Sequence, residues 1–251
     1  MSSHHIVREK QEPALLIMNL DGFESEHLGQ ILEWSPTVIV SEDIYELADS
    51  LAFKIDAVIT HDPNFNGQEN TRIILTDTDP LEDALKYLVG EKYPAVNIIT
   101  NKFALKDYAL FVNDIDLVVF IEDKKIFPVR SGFSKWQPAG EQVHLLHDVN
   151  NLNTSGLIPE ANHVLKTEKD GFYSLTFDQP YIFIAESISM NIRKALPKDI
   201  PVIHKLAQEI WWPTYRNIIS DEQISFMLEN MYSEDVLQEQ MDEGIEFLLA
   251  E

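Results

Sequence analysis

The sequence predicts an α/β fold: a mostly parallel sheet with helices on both faces, then an antiparallel β-sandwich or barrel, then a partial α+β segment. Three observations carry this. Between residues 14 and 112, short apolar runs that read as buried strands alternate with stretches of helical spacing. Between 114 and 187, short β-like runs are separated by turn signals. Near Met190 the pattern changes to strand, helix pair, strand. The expected domains are 1–113, 114–187 and 190–251.

Residues 1–12 are a polar lead-in, with His4 and His5 read as solvated. Residues 14–20 (ALLIMNL) suit a buried strand. Leu28, Ile31 and Leu32 predict a short helix closed before Pro36, and 37–40 (TVIV) a second strand. Ser41 is expected to cap a helix with Ile44, Leu47, Ala48 and Leu51 on one face. Strands follow at 55–60 and 73–75, a helix from Pro80, a strand at 96–100 and a helix over 105–112. The β-like runs are 117–121, 125–129, 143–146, 172–177 and 181–185. Then come a strand at 191–195, a helix from Pro197 through Trp211, a Ser220/Gln223 capping box before a second helix, and a strand at 245–250.

With 45% hydrophobic and 10% aromatic residues, the 251-residue chain can build real cores. A formal net charge of −23 argues against nucleic acid or an anionic membrane surface as partner. It leaves room for a nucleotide, because Mg²⁺ can stand between carboxylates and phosphates. There is no cysteine, so disulfides and thiolate chemistry are excluded. No apolar run approaches membrane-spanning length and no apolar signal core opens the chain, so the expected compartment is the cytoplasm.

Residues 76–88 gather four carboxylates, Asp77, Asp79, Glu82 and Asp83, between a strand and a helix start. Clustered acids there suit a Mg²⁺–nucleotide site. The same residues suit a helix cap: Asp79 at the N-cap, Pro80 at N1, Glu82 at N3, with Leu81, Ala84, Leu85 and Leu88 as the apolar stripe. Both readings stand at this point. Asp77 precedes the cap and is the better metal candidate. Ligands of parallel sheets bind beyond the strands' carboxyl ends. Three acid-bearing segments fall there: 41–43 with Asp43, 61–62 with Asp62, and 77–83.

Residues 15–187 resemble the thiamine pyrophosphokinase family in layout and in short segments. Residues 38–48 (VIVSEDIYELA) resemble its strand and turn that usually read "ADGA", and 55–65 (IDAVITHDPNF) its "PDxxIGDFDS". Residues 76–88 resemble "DKTDLEKAL", and 98–111 (IITNKFALKDYALF) "GALGGRLDHTLAN". Residues 137–140 (QPAG) and 152–157 (LNTSGL) look like its thiamine-binding β domain, with a "T-x-GL" turn. Several motif positions differ. Thr60-His61-Asp62-Pro63-Asn64 keeps at most one aspartate of "GDFDS". Phe103-Ala104-Leu105 and Tyr108 replace the glycines, arginine and histidine around Asp107. The resemblance implies an α/β domain binding ATP and Mg²⁺, thiamine held with the β domain in a homodimer, and pyrophosphoryl transfer giving thiamine diphosphate and AMP. It implies catalytic roles for Asp77 and Asp107, metal ligation by Asp62 and Asp77, and ligand contacts from Asp43, Asp62, Glu82, Thr154 and Ser155.

Residues 190–251 resemble the opening of a GNAT acetyltransferase; 191–195 (NIRKA) and 197–200 (PKDI) look like its "IRxAxxxDxxxI" start. The family's acetyl-CoA pyrophosphate loop has no counterpart in these residues, so acetyl-CoA is expected only where a longer chain completes that domain. The alternative to a working pyrophosphokinase is a catalytically inactive dimerising or ligand-binding module fused to an acetyltransferase of the GNAT family, expected to continue beyond these residues.

Other residues have two readings each. His61 is a base or a solvated loop histidine, Asp62 a metal ligand or an Asp-Pro turn, Asp107 a catalytic or a solvated helical acid. Trp136 and Phe133 stack on a ligand or pack in a core or dimer contact. Residues 211–215 (WWPTY) line an acceptor site or close a helix core, and Asp242, Glu243 and Glu246 form a solvated face.

Overall fold

A computed structural model describes residues 12–33, 37–188, 192–216 and 218–250. His4, His5, Pro36 and Asn191 lie outside the described residues. The chain divides into two compact units, Met1–Ser189 and Met190–Glu251.

The first unit begins with β1 (Ala14–Ile17), α1 (Ser25–Glu33), β2 (Val38–Ser41) and a 3₁₀ turn (Glu42–Ile44) running into α2 (Tyr45–Ser50). It continues through β3 (Ala57–Thr60), β4 (Arg72–Leu75), α3 (Pro80–Gly90), β5 (Ala95–Ile99) and α4 (Leu105–Tyr108). β5, β1, β2, β3 and β4 are parallel neighbours in that order. Alternate residues of β1 serve opposite faces. Ala14 and Leu16 pack with Leu85 and Leu88 of α3, and Leu15 and Ile17 with Leu28 of α1 and Tyr45 of α2. A strand covered on both faces has no wet side, which is why its sequence is a continuous apolar run.

The sheet runs on beyond residue 114. β6 (Asp116–Ile121) adds parallel to β5, and β7 (Lys124–Val129) returns antiparallel to β6. Next come β8 (Phe133–Gln137), β9 (Gln142–Leu145), β10 (Asn153–Ser155), β11 (Leu157–Ala161), β12 (Val164–Thr167), β13 (Gly171–Thr176) and β14 (Ile182–Ser187). β14, β9, β12 and β11 extend the large sheet to eleven strands, while β10, β13 and β8 form a separate antiparallel sheet. Val143, Tyr173, Leu175, Ile182 and Ile184 are part of the core of this β half.

The second unit holds β15 (Ile192–Lys194), a 3₁₀ turn (Pro197–Asp199), α5 (Ile200–Tyr215), α6 (Asp221–Tyr232), α7 (Glu234–Asp242) and β16 (Leu248–Ala250). β15 and β16 pair antiparallel. Its core contains Ala207, Ile224 and Leu228, with Trp211, Tyr215 and Tyr232 packed against them. Ser220 and Gln223 make the expected capping box.

Three local expectations are corrected. Ser41 ends β2 and makes no side-chain cap, and the segment after it buries Ile44, Tyr45 and Ala48 while Leu47 and Leu51 face solvent. The regular part of the 105–112 helix is one turn, Leu105–Tyr108, and beyond it the chain continues through tighter turns, with Phe111 N–H donating to the Tyr108 carbonyl at 2.9 Å, before β6. A third helix, α7, follows the predicted pair in the second unit.

Candidate functional site

β1 leads to β2 on one side, whereas β5 lies on its other side, so β1 and β5 flank the point where the strand order reverses. A cavity of about 340 Å³ opens there. Its walls are the residues at and beyond the strand ends: Met18 and Asn19 after β1, Ser41 at the end of β2 with Asp43 beyond it, and Thr100, Asn101 and Lys102 after β5. Asp79, Pro80 and Leu81 at the start of α3 and Asp107 on α4 complete it.

These residues are not equally available. Asp79 Oδ1 accepts the backbone N–H groups of Leu81 at 3.0 Å and Glu82 at 3.1 Å, so the cap consumes two of the donors an anion would use. Asn19 is tied to Asp21 through its own Oδ1, which accepts the Asp21 N–H at 2.7 Å. The Asp43 and Asp107 carboxylates make no hydrogen bond or ion pair among the described residues. Lys102 supplies the pocket's positive charge, and none of the lining residues is glycine.

Beside Asp107, Tyr108 is buried, and its Oη has no partner among the described residues. Burial, then the negative charges of Asp107 and Asp79, push its phenol well above the ordinary range and keep it neutral. Phe103 stacks on this ring at 5.0 Å and 8°, and meets Phe183 edge-on at 5.4 Å. Of the two stacked rings, Phe103 belongs to the stretch aligned with glycines and arginine in the family segment this chain resembles, and Tyr108 takes the place aligned with histidine.

The other predicted acids lie elsewhere. Asp77 is exposed after β4, and Asp62 after β3 closes a turn by accepting the Asn64 N–H at 2.8 Å. His61 is exposed, and its N–H reaches Glu42 Oε2 at 3.3 Å. Glu42 also accepts the Thr60 hydroxyl at 2.5 Å, which ties the end of β3 to the turn after β2. Glu82 turns to Lys86 Nζ at 2.7 Å instead of closing a capping box, and Asp83 accepts the Thr76 hydroxyl at 2.7 Å. None of these side chains lines the cavity. Among the described residues no three His, Asp or Glu side chains converge as a metal-binding group. The pocket's two unengaged carboxylates are oxygen donors of the type Mg²⁺ takes, and with only two of them any such ion would need its other ligands from water or from a bound ligand.

Thr154 and Ser155 are exposed on β10, away from the cavity lining. Ser155, Ser174 and Ser134 lie in one cross-strand row, and the next row over pairs Phe172 with Trp136. Trp136 is 52% and Phe172 71% exposed, so this face offers two aromatic rings beside hydroxyls. Phe133 points the other way, packing near Phe127 and Tyr173. In the second unit, Trp211 packs on Tyr215 and Tyr232, while Trp212, His204, Ser225 and Glu229 line a groove of about 230 Å³.

Asn19, Thr100 and Lys102 carried no expectation of function. The signal in the sequence was their place at or just past the carboxyl ends of apolar runs; which runs are neighbours was not readable there.

Solved structures share this fold. Thiamin pyrophosphokinase from Geobacillus thermodenitrificans has a TM-score of 0.51 at 6% identity, covering 72% of this chain and 99% of its own. A probable thiamine pyrophosphokinase from Staphylococcus saprophyticus has a TM-score of 0.51 at 9% identity, covering 71% and 100%. A protein from Lactobacillus plantarum has a TM-score of 0.50 at 8% identity, covering 71% and 100%. No protein-family model and no curated protein sequence matches the chain. At such identities the likeness shows a thiamine pyrophosphokinase-like fold.

Proposed function

We propose that the chain is a divergent thiamine pyrophosphokinase-like protein that binds a Mg²⁺–nucleotide in the cavity between β1 and β5. The observation that supports this reading is the pair of unengaged carboxylates, Asp43 and Asp107, at the switch point of a parallel sheet. With ATP bound, Mg²⁺ would offset charge on the transferring phosphates, and Asp43 and Asp107 are the residues that would hold it. Lys102 and the Thr100 hydroxyl would contact phosphate oxygens. In a homodimer, the Trp136–Phe172 face of a second copy would stack on the thiamine ring, with Ser155 and its row supplying hydrogen bonds. The acceptor hydroxyl of thiamine would then receive the pyrophosphoryl group, releasing AMP.

The test is formation of thiamine diphosphate and AMP from ATP and thiamine by folded protein with Mg²⁺. No product above background overturns the enzymatic reading. A second reading, binding without transfer, is favoured by the Phe103–Tyr108 stack, which denies the backbone the close phosphate approach that glycines permit. Calorimetry with Mg²⁺–ATP separates the two: binding without product supports the module, and neither binding nor product removes both. For the second unit, the antiparallel β15–β16 pair supports the acetyltransferase resemblance, whereas the three helices between those strands are one more than the pair it led to. Acetyl-CoA binding there remains a proposal for a longer chain.

A further inference from the structure

Each sheet of the β half contributes one cross-strand polar pair to the space between them. On the large sheet, Glu186 of β14 stands opposite Lys125 of β7; on the small one, Tyr173 of β13 stands opposite Lys135 of β8. The four side chains meet. Lys135 Nζ donates to Glu186 Oε2, Lys125 Nζ lies 3.5 Å from the same oxygen, and Tyr173 Oη donates to Oε1 at 2.7 Å. Glu186 is 2% exposed at its side chain, and both lysines are 32% exposed.

The charges do not balance. Two ammonium groups face one carboxylate, and that carboxylate already accepts from Lys135 and Tyr173. Lys125 holds the longer contact, and burial together with the Lys135 charge lowers its pKa. Two ammonium groups carry six N–H donors, and one carboxylate cannot occupy them. A partly buried ammonium without a full counter-charge is costly. In a chain of net charge −23, placing a surplus cation in this part-buried position is a local exception.

The position is also a seam. Phe120, opposite Lys125 across the β6–β7 hairpin, packs with the cluster under α1 and α2. Phe127, two residues along β7, packs with the sandwich cluster, and Lys135 Nζ stands 5.8 Å from its ring centre. The apolar cover of the large sheet therefore changes from helices to strands at the lysines, where they keep their access to solvent.

We propose that Lys125 and Lys135 form a binding site for a small oxyanion, a phosphate or a carboxylate, at this seam. The anion bridges the two ammonium groups on their solvent side, opposite Glu186. The site is separate from the cavity between β1 and β5 and does not depend on nucleotide binding there.

The test is a titration of full-length protein, labelled with ¹³C at lysine Cε, with inorganic phosphate and in parallel with acetate at constant ionic strength. Spectra of K125M and K135M assign the two signals. The Lys125 and Lys135 signals should shift together and saturate with phosphate, acetate, or both, which also separates the two anion chemistries. Lys54 and Lys86, exposed lysines elsewhere, should not saturate. K125M should weaken the bound anion by about tenfold or more, and K125R should retain it. E186Q removes the competing negative charge and should tighten binding. Shifts that never saturate with either anion, or that match those of Lys54 and Lys86, overturn the site. Weakening by a folded E186Q also overturns it. The wild-type titration decides the question where a variant does not fold.

Discussion

Asp79 Oδ1 accepts the Glu82 N–H at 3.1 Å, while the Glu82 carboxylate reaches away to Lys86 at 2.7 Å. The acid cluster before α3 is thus divided among local tasks. A lost N-cap costs about 1 kcal/mol. D79A should lower the unfolding free energy by roughly that amount in urea titrations, and D79S, which keeps an acceptor at the cap, should recover most of it. Equal loss in both variants would show that the Asp79 charge, and not the cap, is what matters.

Gly156 joins β10 of the small sheet to β11 of the large one, at φ 74°. A Cβ there would stand 2.7 Å from the Phe172 carbonyl oxygen and 3.2 Å from the Tyr173 Cα. Both neighbours are backbone of β13, so neither can swing aside. G156A combines left-handed strain with this clash and should cost about 2 kcal/mol or more. Thermal unfolding checks it; a change within experimental error would mean that β10 moves freely against β13.

The helix α3 was legible because everything that makes it is local: a cap, a proline at N1 and a stripe at 81, 84, 85 and 88. The strands β1, β2, β3 and β5 were legible as apolar runs. β10 was not, since Asn153, Thr154 and Ser155 carry no apolar alternation and owe their extended form to pairing with β13. Acids after strands look alike in a sequence. Asp43, Asp62 and Asp77 each follow one, yet Asp62 and Asp77 follow β3 and β4, toward the sheet's edge, while Asp43 follows β2 beside the reversal. Sheet order decides which acids share a cavity, and sheet order depends on contacts far apart in the chain.

That difference makes a measurable contrast. If Mg²⁺–ATP binds between β1 and β5, D43N and D107N should each weaken it about tenfold or more, since each removes a charged ligand. D77N should leave both affinity and stability unchanged, because Asp77 is exposed and outside the cavity. Calorimetry with Mg²⁺–ATP reads all three. A D77N defect equal to that of D107N would relocate the site toward β4.

Glu186 gives the fold an acid-sensitive element. Burial alone would raise its pKa; the hydrogen bonds from Lys135 and Tyr173 and the charges of Lys135 and Lys125 outweigh burial and hold it below the ordinary carboxylate range. A carboxylate depressed on folding contributes stability that is present above its unfolded pKa of about 4.3 and lost as pH falls through the folded value. Tyr173 stays neutral across this window, because burial and then the Glu186 hydrogen bond push its phenol well up. Lys125, although lowered, starts from 10.5 and contributes its pH dependence on the alkaline side, where losing its proton relieves the folded state. The acid limb therefore belongs to Glu186 within this group. E186Q should be less stable than the wild type at pH 7 by about 3 kcal/mol, the cost of leaving buried partners unpaired. Its urea midpoint should then fall less steeply than the wild type's from pH 5 to pH 3, so that the two curves approach each other. Parallel curves over that range would place the acid sensitivity in other carboxylates.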